Sequence, residues 1–102
     1  MVNIQGIEYP VTVMDNDTMT TLHKNPDILG YWDMETGIEI NDNLMGDTKI
    51  PVLMHEILHG INNQLGIGID EHQTQLLATG FIQLLQANGG EVGWLRDMLE
   101  VE

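Results

Sequence analysis

The chain has 102 residues, 42% hydrophobic and 19% charged, with 16 acidic residues against 3 basic ones and a formal charge of −13. That length suits one domain, 1–102, with a modest core. The charge repels phosphate backbones, so direct nucleic-acid binding is not expected, whereas basic proteins or peptides would be attracted. No stretch nears the roughly 20 apolar residues of a membrane span. The opening residues Met1-Val2-Asn3-Ile4-Gln5-Gly6 lack the basic and apolar parts of a secretion signal. Cysteine is absent, so neither a disulfide framework nor a thiolate metal site is available. A cytoplasmic location is the simplest expectation.

In chain order, β character comes first. Residues 3–9 and 11–14 alternate or run apolar, and Pro10 stands where a continuous central strand would be interrupted. Asp15-Asn16-Asp17 has turn chemistry and can cap a short helix over 18–24, which Asn25-Pro26-Asp27 ends. Residues 31–34 and 38–40 are β-compatible runs around Glu35-Thr36-Gly37, which predicts a hairpin.

From residue 47 the period becomes helical. Asp47 or Thr48 can serve as cap, with Pro51 in the first turn, where a missing amide hydrogen costs little. At about 100° per residue, Leu53, Met54, Ile57, Leu58, Ile61 and Leu65 share an arc about 140° wide that should face the core. Gly66 and Gly68 end the helix. His55 and His59 lie together outside the arc, one turn apart. Glu56 projects about 80° from their mean direction, also away from the apolar arc. Asn62 and Asn63 are read as surface decoration.

His55-Glu56-Ile57-Leu58-His59 is the His-Glu-x-x-His pattern of metalloproteases. Histidines at i and i+4 bring both imidazoles to one side of a helix, where they can share a metal ion. Zinc accepts imidazole nitrogen and, in catalytic sites, takes three protein ligands and a water. It lowers the water's pKa, and a nearby carboxylate such as Glu56 can remove the proton. The bland alternative is a pair of solvated surface histidines.

A further helix is expected over 70–88, with Leu77, Phe81, Ile82, Leu84 and Leu85 in its apolar arc and Thr74 and Ala78 within it. Glu71 projects into the arc's edge. His72 points about 100° away, among glutamines and Thr79. A carboxylate turned toward a core is costly unless paired or metal-bound, which favours Glu71 as third ligand, with His72 as the alternative. Gly80 should permit close packing on the preceding helix. Asn88-Gly89-Gly90 ends the second helix, and residues 91–100 suggest a short amphipathic helix engaged in core packing. Tyr31 and His23 are candidate donors to a developing oxyanion, and Trp32 and Trp94 are expected to pack.

The stretch 53–60, with Glu71, Ala78 and Leu77-Ala78-Thr79-Gly80-Phe81, resembles the ImmA/IrrE-type zinc metallopeptidases, and looks nearest to short versions carried by bacteriophages and prophages. In that family the motif is followed by a helix bearing Glu-x-x-Ala-x-x-Phe-Ala. Here Glu71 and Ala78 are kept, while Thr74 replaces the first alanine and Leu77 the phenylalanine. The expected hairpin is similar to the strand pair preceding the family's active helix. The resemblance covers roughly residues 28–88.

It implies His55, His59 and Glu71 as zinc ligands and Glu56 as general base and acid. The implied fold is α+β: a small antiparallel or mixed sheet from the N-terminal half on two metal-ligand helices, a minimal gluzincin-like core, plus a short C-terminal helix. Substrate would add a strand to an exposed sheet edge. Some members cleave transcriptional repressors, which suits a phage-encoded protein in a bacterial cytoplasm. The expected function is hydrolysis of a peptide bond in a protein or peptide, using Zn2+. The alternative is a zinc-containing phage regulatory or interaction module with little turnover, because so small a domain offers little wall for a cleft.

Overall fold

A computed structural model describes residues 1–43, 48–90 and 93–99. The fold is α+β, with two small sheets and four helices among the described residues. Residues 3–9 do not form a single strand. Gln5 (φ 54°) and Gly6 (φ 86°) both take left-handed backbone, which folds β1 (Val2–Ile4) onto β2 (Ile7–Tyr9) as a separate antiparallel hairpin. Asn3 Oδ1 accepts the Gly6 amide across this turn. Val2, Ile4 and Tyr9 face the core.

Pro10 separates β2 from β3 (Val11–Met14), and its carbonyl accepts the amide of Ile38. Asp15 caps α1 (Asn16–His23) by accepting the Thr18 amide, and Lys24 closes it in the left-handed region. The expected hairpin is present as β4 (Gly30–Asp33) and β5 (Gly37–Asn41), with Asp33 Oδ1 accepting the amides of Glu35 and Thr36 in the turn. Gly37 has φ +88°, and a β-carbon there would lie 2.4 Å from the Pro10 carbonyl. A side chain is therefore excluded twice over at this position. The sheet order is β3-β5-β4, mixed in sense: β3 parallel to β5, and β4 antiparallel to it. That order leaves β4 at an edge.

α2 (Lys49–Leu65) lies on this sheet, and α3 (Glu71–Ala87) packs against α2. Ile38, Ile40 and Leu53 are fully buried at the sheet–helix junction, each contributing about 1.5–3 kcal/mol by burial. Thr48 stands at the N-cap of α2 with helical dihedrals and makes no capping bond with its side chain, and Asp47 lies outside the described residues. Gly66 (φ 64°) ends α2 as expected. α4 (Gly93–Leu99) inserts Leu95 into the core against α2 and β3, while residues 91, 92 and 100 lie outside the described residues.

Two local expectations are corrected. Gly80 is exposed, with nothing among the described residues within 4 Å of an added β-carbon, so close packing on α2 does not explain it. Close approach occurs at Gly60, where a β-carbon would lie 2.8 Å from Ile4 and 3.1 Å from Trp32. Asn62 is no decoration: its Oδ1 accepts the amides of Gly68 and Ile69 and ties the α2–α3 loop to the end of α2. Trp32 packs edge-on against Tyr9, whereas Trp94 is about half exposed. No helix among the described residues is long and apolar enough to cross a membrane.

Candidate metal centre and active site

α2 is covered on more of its circumference than one apolar arc would require. The sheet takes Leu53, Ile57 and their neighbours, while β4 and the start of α3 close over His55 and Glu56, which are only 8% and 6% exposed. The side of α2 outside its apolar arc is thus largely buried. Gly30 makes the fit possible, since a β-carbon there would lie 2.9 Å from Val52 and 3.0 Å from Glu56 Oε2.

Glu71 is delivered by the first turn of α3. Asp70 caps that helix in a reciprocal box with Gln73, and Thr74, fully buried, donates its hydroxyl to the Asp70 carbonyl. This fixes the direction in which the first helical residue leaves the backbone. His55 Nε2 lies 2.6 Å from Glu71 Oε1, His59 Nε2 lies 2.9 Å from Glu71 Oε2, and the imidazole nitrogens are 3.0 Å apart. His55, His59 and Glu71 form the one group among the described residues able to offer three ligand atoms to a metal, all within 4.8 Å of one another. His72 is exposed and stands outside it. Glu71 lies at the rim, its side chain 72% exposed, rather than against the core as its helical angle suggested.

Two nitrogens and one carboxylate oxygen make a donor set that suits zinc. The two nitrogens lie 3.0 Å apart and each meets a different oxygen of the Glu71 carboxylate, at 2.6 and 2.9 Å, close to the roughly 3.3 Å spacing between ligands of a tetrahedral site with bonds of about 2.0–2.1 Å. Imidazole N–H groups donating to the carboxylate would satisfy these contacts, and with the nitrogens unprotonated the same atoms could share a cation. Burial is the main influence holding His59 below the usual imidazole range, with the neighbouring His55 adding to it and Glu71 opposing; a neutral imidazole is the ligating form. One feature of a supported metal site is missing: His55 Nδ1 is buried and has no hydrogen-bond partner among the described residues. Metal-bound histidines usually donate that second N–H to an acceptor behind them.

Glu56 also lacks a hydrogen-bond partner among the described residues. Its removal from water, with a lesser contribution from the Glu71 charge, pushes its pKa up to about 8. It opens on a cleft of about 720 Å3 running from α1 past Gly30 and Tyr31 to His55 and Glu71. A smaller hollow brings Tyr31 and Trp32 beside Glu56, His59 and Glu71. His23 lines the larger cleft but its Nε2 is engaged 2.6 Å from Glu39 Oε1, and its ring stacks on Tyr31 at 4.1 Å. Gly30 and the His23–Glu39 pair escaped the sequence reading. A glycine at the head of a strand was the only available signal for the first, and nothing in the sequence joins the second.

The Leu29 carbonyl accepts the Asn41 amide, which fixes the alternation of the β4–β5 ladder. Tyr31 then pairs inward with Glu39, and the backbone groups of Gly30 and Trp32 point to the open edge.

No family model matches this chain, and neither curated proteins nor solved structures give a match.

Proposed function

We propose that this chain is a zinc-dependent metallopeptidase of the ImmA/IrrE kind, hydrolysing a peptide bond in a protein or peptide substrate. His55, His59 and Glu71 would hold the metal, and Glu56 would act as general base and acid. The observation that carries this reading is Glu56: a carboxyl almost wholly buried, unpartnered, and opening on the same cleft as three converging donors. A carboxylate in that setting is costly unless a cation stands beside it.

Zinc, when bound, supplies a positive charge that acidifies water and polarises a carbonyl. Glu56 takes the proton of the attacking water and returns it to the leaving amine. Its raised pKa in the metal-free protein falls once a cation offsets the burial. The β4 edge, with Gly30 and Trp32 facing outward, offers backbone partners for an extended substrate. Tyr31, half exposed in the same cleft, is the better placed of the two oxyanion candidates, because His23 Nε2 is committed to Glu39. The resemblance supplies the setting: a phage-borne enzyme acting in a bacterial cytoplasm, with a transcriptional repressor as one substrate.

The alternative, a zinc-containing regulatory module with little turnover, draws support from His55 Nδ1, which lacks the acceptor a stiff metal site would have. Elemental analysis of protein purified without added metal, followed by peptide hydrolysis by the wild type and Glu56→Gln, separates the two. About one zinc per chain with turnover lost in Glu56→Gln is expected. Turnover retained in that variant would remove Glu56 as the base, and no zinc after reconstitution would end the enzymatic reading.

A further inference from the structure

The cleft that reaches the metal ligands carries Asp27, Glu56 and Glu71, and neither lysine nor arginine lines it. A divalent cation would neutralise Glu56 and Glu71 together. Other acids remain uncompensated along the same edge. Asp27 is exposed in the loop leading into β4, and Glu35 is exposed in the turn beyond it. Asp33, at the end of β4, is held below the usual carboxylate range by the amides of Glu35 and Thr36. The chain has only three cationic side chains. Lys49 is paired with Asp42, and neither Lys24 nor Arg96 lines the cleft.

An extended peptide added to the outward groups of Gly30 and Trp32 therefore runs between acidic ends. β4 has four residues, roughly 13 Å of strand. This spacing exceeds a Debye length of about 8 Å at physiological ionic strength, so each end attracts its own charge. We propose that the β4 edge is a docking groove for extended basic segments, with Lys or Arg flanking a short central stretch on both sides. The inference rests on the peptidase reading for what happens after docking, while the docking itself depends only on β4 and its acids. An acidic or phosphorylated segment would meet repulsion at both ends.

The test uses zinc-loaded Glu56→Gln protein, so that binding is read without turnover. Fluorescence anisotropy follows three labelled decapeptides of one backbone sequence that carry Lys, Gln or Glu on either side of an apolar centre. The Lys peptide should bind at least tenfold more tightly than the Gln peptide, and the Glu peptide more weakly still. Adding Asp27→Lys and Glu35→Lys should abolish or invert that order. Adding Glu8→Lys and Asp97→Lys instead, an equal change of net charge at exposed positions away from the cleft, should preserve it. Equal binding of the three peptides, or equal loss from either pair of reversals, would overturn the inference. Zinc content is measured on the same samples. Absent metal counts against the peptidase reading, and the peptide order in that metal-free protein still decides the groove.

Discussion

Glu56→Gln should stabilise the metal-free protein, and increasingly so as the pH rises. In the unfolded chain this carboxyl titrates near 4.5, and in the folded chain it is pushed up to about 8. Between those values the native state holds a proton that the unfolded state has released. Stability contributed by the protonated group is thus fully present below pH 4.5 and is lost as pH climbs through 8. At about 1.4 kcal/mol per pH unit, the loss between pH 5 and pH 8 comes to roughly 3.5 kcal/mol, and water entering by the cleft trims it to about 3 kcal/mol. That is a large share of the 5–15 kcal/mol typical of a domain. Glutamine has nearly the same shape and no ionisation, so its variant should escape this loss. Urea unfolding of both proteins in excess chelator, at pH 5 and at pH 8, measures the difference directly. The stability gap should widen by about 3 kcal/mol toward pH 8 and shrink on zinc loading, because a cation restores the carboxylate's comfort. Parallel pH curves for the two proteins would refute the claim that Glu56 is held neutral by burial.

Glu71→Ala should weaken zinc binding far more than His72→Ala, measured by competition with a chromogenic chelator; the reverse order would mean that His72 is the third ligand. Gly80→Ala should stabilise the protein by about 0.5–1 kcal/mol, since Gly80 is helical and its surroundings are open. Gly60→Ala should destabilise it, because Ile4 and Trp32 stand in the way, and thermal unfolding reads both. Gly30→Ala should depress turnover more than it depresses the melting temperature, as its methyl group reaches Val52 and Glu56 together; an unchanged kcat would show that Glu56 has room to move aside.

The β4–β5 hairpin and both ligand helices were legible because each follows from local periodicity or turn chemistry, and the His55–His59 pairing follows from their i, i+4 spacing. Glu71 was picked out through an angle toward the core that the structure replaces with a place at the rim. The Gln5-Gly6 turn was missed because alternation over 3–9 reads the same whether or not the strand reverses. Burial of His55 and Glu56 was missed for a different reason. A helical wheel gives angles within one helix, and it cannot report that a sheet and a second helix cover adjacent sectors. The same limit misjudged α3. Its buried stripe is Thr74, Ala78 and Ile82, while Leu76, Leu77, Phe81 and Leu84 are substantially exposed. Gly80 and Gly60 look alike in sequence, and only the tertiary neighbours of Gly60 make it necessary.

Burial of His55 and Glu56 is also what favours the proposed metal centre over a chance pair of histidines on this helix. Two solvated imidazoles could drift together at little cost and with little consequence. Here α2 carries a histidine and a glutamate into the space beneath an edge strand, and Gly30 omits a side chain that would collide with the glutamate. Neither group is satisfied by the protein alone: Glu56 opens on the cleft without a hydrogen bond to another described residue, and His55 Nδ1 is buried with no partner among them. A cation at the three donors addresses the first deficit, since it offsets the buried carboxylate. It aggravates the second, because ligation through Nε2 leaves a proton on Nδ1 with nowhere to go. The site is therefore expected to favour catalytic charge over tight metal retention, with zinc lost to chelators more readily than from a site whose histidines are braced from behind.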